Sequence, residues 1–101
     1  MTEITRIKRR LRAEQKFLQE RYGVKSLGVF GSYIRNEQKK RSDLDVLVEF
    51  SRPVDLFEFI EMENYLSDKL GVKVDLVMKS SLKPFIGKVI LKEVQYIMTI
   101  Q

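Results

Sequence analysis

Two aspartates two residues apart, Asp43 and Asp45, stand at the head of the apolar run Val46-Leu47-Val48, and a third, Asp75, lies within a second such run from Val72 to Met78. On an extended strand, side chains at i and i+2 share a face, so Asp43 and Asp45 point one way while Leu44, Val46 and Val48 enter the opposite layer. Like charges held this close repel, and the repulsion is relieved by a cation between them or by keeping one carboxylate protonated. Asp75 sits between Val74 and Leu76, where an unpaired carboxylate would be expensive to bury. If the two strands are neighbours, Asp75 completes a three-carboxylate set of hard oxygen ligands, the kind that holds Mg2+ together with substrate phosphates.

Gly31-Ser32 supplies the complementary half. A glycine after a strand lets the backbone approach a phosphate closely, and if Tyr33 to Glu37 begins a short helix, its first turn offers free N–H groups and a positive dipole end. Ser32 adds a hydroxyl donor. A triphosphate gripped by Gly31, Ser32 and a divalent ion is set up for in-line displacement of pyrophosphate by an incoming hydroxyl. Taken singly, each signal also has a plain structural reading: Gly-Ser as an ordinary turn, Asp-x-Asp as a solvated loop end or helix cap, Asp75 as an edge-strand carboxylate facing water. Arg35 suits either a phosphate contact or an ion pair with Glu37 or a helix carboxylate. Lys39-Lys40-Arg41 is either a solvated loop or an attractor for nucleotide or RNA.

Composition narrows the chemistry. The 101 residues contain no cysteine and no histidine, which excludes disulfides, thiolate sites, thiol nucleophiles and imidazole bases. Metal chemistry here must run on carboxylates, hence on hard cations such as Mg2+ or Mn2+. With 44% apolar and 33% charged residues the chain reads as one globular domain over residues 1–101, and a domain of this length buries only about two thirds of its unfolded surface. A large substrate must therefore lie mostly outside the fold. The net charge of +5 favours polyanions without choosing among nucleoside triphosphates, RNA and an acidic partner. No apolar run is long enough to span a bilayer and no targeting segment is visible at the start, so a soluble, cytoplasmic protein is expected.

The elements that must position these residues follow from periodicity. Ile4, Ile7, Leu11 and Leu18 recur at helical spacing from Thr2 to about Tyr22, with Gly23 as the C-terminal cap. Leu27 to Phe30 reads as a strand, Tyr33 to Glu37 as a short helix, Gln38 to Ser42 as a loop and Asp43 to Phe50 as a strand. From Asp55, a plausible N-cap, to Leu70 the positions Leu56, Phe59, Ile60, Leu66 and Leu70 restore the helical period, closed by Gly71. Val72 to Met78 is a strand, Pro84 suits the first turn of a last helix, and Val94 to Ile100 could form a closing edge strand. The aromatic residues Phe57, Phe59, Tyr65 and Phe85 fall mostly on helical core positions, better explained by packing than by base stacking. This alternation predicts an α/β (α+β) fold, one small mixed β-sheet flanked by helices.

Gly31-Ser32-x-x-Arg35-x-Glu37, followed by Ser42-Asp43-x-Asp45-x-Leu47-Val48, resembles the signature of the DNA polymerase β-like nucleotidyltransferase superfamily, specifically its minimal nucleotidyltransferase (MNT) branch. The resemblance extends to Val74-Asp75-Leu76-Val77 and to Leu82-Lys83-Pro84 with Ile90 and Glu93, so it covers effectively the whole chain. It implies the polymerase β-like fold, triphosphate binding by Gly31 and Ser32, metal binding by Asp43 and Asp45, and assistance from Asp75 at the catalytic metal. Where the family usually has Ala-Arg-Gly-Glu, this chain has Ile34-Arg35-Asn36-Glu37; asparagine tolerates a left-handed backbone better than other non-glycine residues, so the turn can survive.

Polymerases and tRNA-modifying members of the superfamily carry further domains that hold the acceptor. Free-standing members of the MNT branch resemble the MntA-like antitoxins of HEPN/MNT toxin–antitoxin systems. That resemblance implies a metal-dependent transfer of AMP from ATP to a tyrosine of a HEPN-domain toxin. Two other classes stay open on sequence: a non-catalytic antitoxin that caps its HEPN partner, and a nucleotidyltransferase acting on RNA or a small molecule.

Overall fold

The computed structural model describes residues 2–99. Helix α1 (Glu3–Ala13) is capped by the Thr2 side chain and followed by α2 (Gln15–Tyr22). Strand β1 (Val24–Phe30), a turn region, strand β2 (Leu44–Phe50), helix α3 (Leu56–Leu70) and strand β3 (Val74–Met78) come next. A single 3-10 turn (Lys79–Ser81), helix α4 (Pro84–Glu93) and strand β4 (Gln95–Thr99) complete the order. The strands form one sheet in the order β3-β2-β1-β4, with β2 and β3 parallel and the other two pairings antiparallel. This is the small mixed sheet flanked by helices that the alternation predicts. The closing strand is described over Gln95–Thr99; Ile100, its expected last residue, lies outside the described residues.

One face of the sheet carries the core. Ile7, Leu11 and Leu18 from α1 and α2 meet Leu27, Val29 and Val46 from β1 and β2, and Met62, Leu66 and Leu70 of α3 join the same buried cluster. The apolar area removed from water by such residues, at about 25 cal/mol per Å², is what holds the helices on the sheet. Val74 and Leu76 of β3 are buried in this cluster as well, which by strand alternation turns Asp75 to the other face.

The expected single helix from Thr2 to Tyr22 is broken at Glu14. There the Glu14 amide returns to the Leu11 carbonyl at 3.1 Å, a tightened turn, while the Glu14 carboxylate accepts a hydrogen bond from the Tyr65 hydroxyl on α3. The break lets α1 pack on α3 and α2 on β1. α3 starts as expected, Asp55 forming a full capping box with Glu58. Two of its expected core positions, Leu56 and Ile60, are nevertheless 68% and 45% exposed. Phe57 and Phe85 are each 83% exposed, so packing explains Phe59 and Tyr65 but not the other two aromatics. They lie at the exposed start of α3 and on α4, whose only buried residue is Gly87. Among the described residues no helix is long and apolar enough to cross a membrane.

β3 is an edge strand, yet two of its amides find side-chain acceptors. The Val74 amide donates to Ser67 Oγ at 2.9 Å and the Leu76 amide to Glu63 Oε2 at 2.8 Å, both acceptors reaching down from α3. Side chains thus do the work that a further strand would do, and they fix β3, with Asp75, beside β2. Glu63→Ala is expected to cost about 1–2 kcal/mol, read as a lower urea midpoint, because it orphans a partly buried amide on the strand that carries Asp75.

Candidate active site

The parallel register sets Asp45 directly opposite Asp75, and the antiparallel register sets Phe30 opposite Asp45 on the other side. Residues paired in register point to the same face, so both carboxylates project from the face opposite the helical core. Asp43 sits one residue ahead of β2 rather than within it. Asp75 is exposed and Asp45 half-buried; the burial cost expected for Asp75 is avoided because its face is open to water.

Gly31 leaves the end of β1 at φ +82, and a Cβ on it would stand 2.0 Å from Asp45 Oδ2. The glycine therefore serves two needs at once, a left-handed backbone and the closest approach of the chain to a carboxylate. Beyond it the expected short helix does not form. The Ile34 and Arg35 amides both return to the Gly31 carbonyl at 3.1 and 3.2 Å, and the Glu37 amide to the Ser32 carbonyl at 2.8 Å, as a run of turns. Asn36 closes it at φ 58, the left-handed conformation for which asparagine is the best substitute for glycine. The phosphate-facing helix end expected from sequence is replaced by this turn, whose own hydrogen bonds do not use the Ser32 and Tyr33 amides.

The carboxylates sense one another. The Asp45 carboxyl is pushed up to about 6, first by burial, then by the negative charges of Asp75 and Asp43, with Arg35 opposing and Glu93 adding to the effect. Folding then favours the protonated form: Asp45's contribution to stability is fully present below its ordinary value of 3.8, falls as pH rises, and is lost above about 6. In chelator, the melting temperature of Asp45→Asn minus that of the wild type is expected to grow between pH 4 and pH 7. With solvent screening the corresponding stability difference reaches on the order of 1–2 kcal/mol, and added Mg2+ is expected to shrink it by stabilising the ionised wild type.

The remaining expected residues are placed as follows. Ser32 is half-buried within the turn. Arg35 is held by two carboxylates, Glu93 Oε1 at 2.6 Å and Glu37 Oε1 at 2.8 Å, so the ion-pair alternative for Arg35 is realised. Lys39, Lys40 and Arg41 are exposed in the loop before Asp43, where Ser42 ties the chain back by accepting the Lys39 amide at 2.8 Å. Glu93, named in the closing segment of the resemblance but given no role there, accepts the Gly31 amide at 2.7 Å. Its place also marks it: a carboxylate at a helix C-terminus opposes the helix dipole and needs another reason to be there.

As donors, Asp43, Asp45 and Asp75 suit a hard divalent cation, and burial with the neighbouring negative charges of Asp75 and Asp43 raises the Asp45 carboxyl. Among the described residues, no three acidic side chains are gathered closely enough to enclose an ion as they stand. The three-carboxylate set is thus a charge-coupled row, not a closed cage, and its donor chemistry fits the ion.

A mixed sheet with this row at one end and a left-handed glycine turn against it defines the minimal nucleotidyltransferase form of the polymerase β-like fold. The family model of the nucleotidyltransferase domain matches residues 11–97, and the chain belongs to that family as a nucleotidyltransferase. It is 52% identical over 97 residues, spanning 96% of this chain and 98% of the relative, to the protein adenylyltransferase MntA of Thermococcus cleftensis. Among solved structures, one provisionally named a minimal nucleotidyltransferase superposes with a TM-score of 0.75 at 34% identity, covering 94% of this chain and 95% of that one. A Shewanella oneidensis complex of a tri-AMPylated HEPN toxin with an MNT antitoxin gives 0.69 at 19% identity, over 99% of this chain and 75% of the matched one, a likeness of fold.

Proposed function

We propose that this chain transfers AMP from ATP to a hydroxyl, a tyrosine's, on a HEPN-domain partner protein and so acts as that toxin's antitoxin. The observation that carries the reading is the row of Asp43, Asp45 and Asp75 beside the Gly31 turn, with the Asp45 carboxyl raised to about 6 by burial and its neighbours. The adenylyltransferase named among its relatives and the AMPylated toxin in the Shewanella complex support the donor and the partner.

In this reading Asp43, Asp45 and Asp75 would hold Mg2+ or Mn2+, which would supply positive charge to offset the triphosphate and the departing pyrophosphate. Ser32 brings its hydroxyl and amide to the phosphates, and Gly31, whose own amide is taken by Glu93, lets the turn lie against Asp45, where a Cβ would clash. The acceptor oxygen bonds to the α-phosphorus as the bond from that phosphorus to the bridging oxygen of pyrophosphate breaks. The acceptor's proton passes to a carboxylate of the row, Asp75 being its exposed member. The acceptor protein supplies the rest of the cleft, since the fold is too small to enclose it.

The exposed apolar residues Phe57 and Phe85 favour a second reading, an antitoxin that neutralises by binding alone. Intact mass spectrometry of the partner after incubation with this chain, ATP and Mg2+ separates the two. AMP-sized increments are expected; a tight, toxin-neutralising complex with no increment would leave binding as the function.

A further inference from the structure

The contact that no assigned role accounts for is made by Glu93, the last residue of α4. Its Oε2 accepts the Gly31 amide at 2.7 Å and its Oε1 accepts the Arg35 guanidinium at 2.6 Å. The side chain is only 17% exposed. Arg35 carries the chain of contacts on to Glu37 at 2.8 Å, so one carboxylate holds the start of the turn at Gly31 directly and reaches its end at Glu37 through Arg35. The end of α4 is itself anchored: Val94 Cγ2 lies 2.6 Å from where a Cβ on Gly28 would stand, a close approach to β1 that glycine permits. The glutamate is therefore fixed to the sheet, and the turn is fixed to the glutamate.

From this geometry we propose that Glu93 is a positioning residue for nucleotide binding, which with Arg35 clamps the Gly31 turn so that Ser32 and its amide face the triphosphate. The proposal rests on the nucleotidyltransferase reading above. Glu93 does not touch substrate. A carboxylate placed beside a triphosphate site would repel the ligand, and here that repulsion is limited because the Arg35 guanidinium and the Gly31 amide engage both of its oxygens. Two alternatives for the same contacts are weaker. Stability alone would not require the carboxylate to reach the one glycine that abuts Asp45. Direct phosphate binding by Arg35 would require the guanidinium to leave two carboxylates that already hold it.

The test is steady-state AMP transfer to the HEPN partner by wild type, Glu93→Ala, Glu93→Gln and Glu93→Ala/Arg35→Ala, with folding followed by circular dichroism. Glu93→Ala is expected to raise KM for ATP about tenfold or more while KM for the protein acceptor is unchanged. Glu93→Gln keeps an acceptor for the Gly31 amide and is expected to fall between, so the role remains testable if the alanine variant folds poorly. The double variant should raise KM little beyond Glu93→Ala, since both residues serve one clamp. A purely structural contact would instead reduce the active fraction, lowering kcat at unchanged KM for ATP, and that result in either single variant overturns the proposal. Absence of AMP transfer by the wild type would overturn the function itself and the role with it.

Discussion

Replacing Asp43 and Asp45 by asparagine is expected to abolish AMP transfer while leaving the chain folded and more resistant to heat at neutral pH. The two effects have one cause. Asp45 is half-buried beside Asp75 and Asp43, and its carboxyl is raised to about 6 by burial and by their charges. Without a cation, ionising it at pH 7 opposes folding, so the neutral amide relieves strain. The same charges are what a divalent ion and a triphosphate require, and an amide oxygen is a poor replacement for a carboxylate as a hard ligand. Losing several kcal/mol of charge stabilisation corresponds to about 10³-fold or more in rate. Transfer assays beside thermal melts in chelator check both halves. A variant that loses activity and stability together would point to a structural role for the row.

Gly31→Ala is expected to be the most damaging single-atom-group addition in the chain. The alanine must adopt φ +82, a conformation costing L-residues about 1–2 kcal/mol, and its methyl would stand 2.0 Å from Asp45 Oδ2. Either the turn or the aspartate must move, and either motion separates the phosphate-facing turn from the carboxylate row. A loss of about 2–4 kcal/mol in stability and at least 100-fold in transfer is expected. The double variant Gly31→Ala/Asp45→Ala should regain part of the stability, because the clashing carboxylate is gone, and none of the activity. Additive losses in the double variant would show that contact with Asp45 is not the reason for the glycine.

The sequence carried the sheet because strand signals are local: the apolar runs at Val46 to Val48 and Val74 to Val77, and the breaks at Gly23, Pro53 and Gly71, require no knowledge of partners. It put Asp43 and Asp45 together by period-two alternation and added Asp75 only if the two strands are neighbours, a condition that the parallel pairing of β2 and β3 meets. What it missed depends on distant contacts. The break at Glu14 answers to Tyr65, fifty-one positions away, and the turn from Gly31 to Asn36 is held by Glu93, sixty-two positions from Gly31. Periodicity likewise assigned Leu56, Ile60, Phe57 and Phe85 to the core, but it reports a helix's apolar stripe and not whether anything in this chain lies against it.

The most direct test of nucleotidyl transfer is to incubate the purified chain, Mg2+ and the HEPN partner with ATP labelled either at the α- or at the γ-phosphate. Stable label on the partner from the α-phosphate alone, absent in Asp43→Asn/Asp45→Asn, is the predicted result. Label from the γ-phosphate, or none from either, would contradict it.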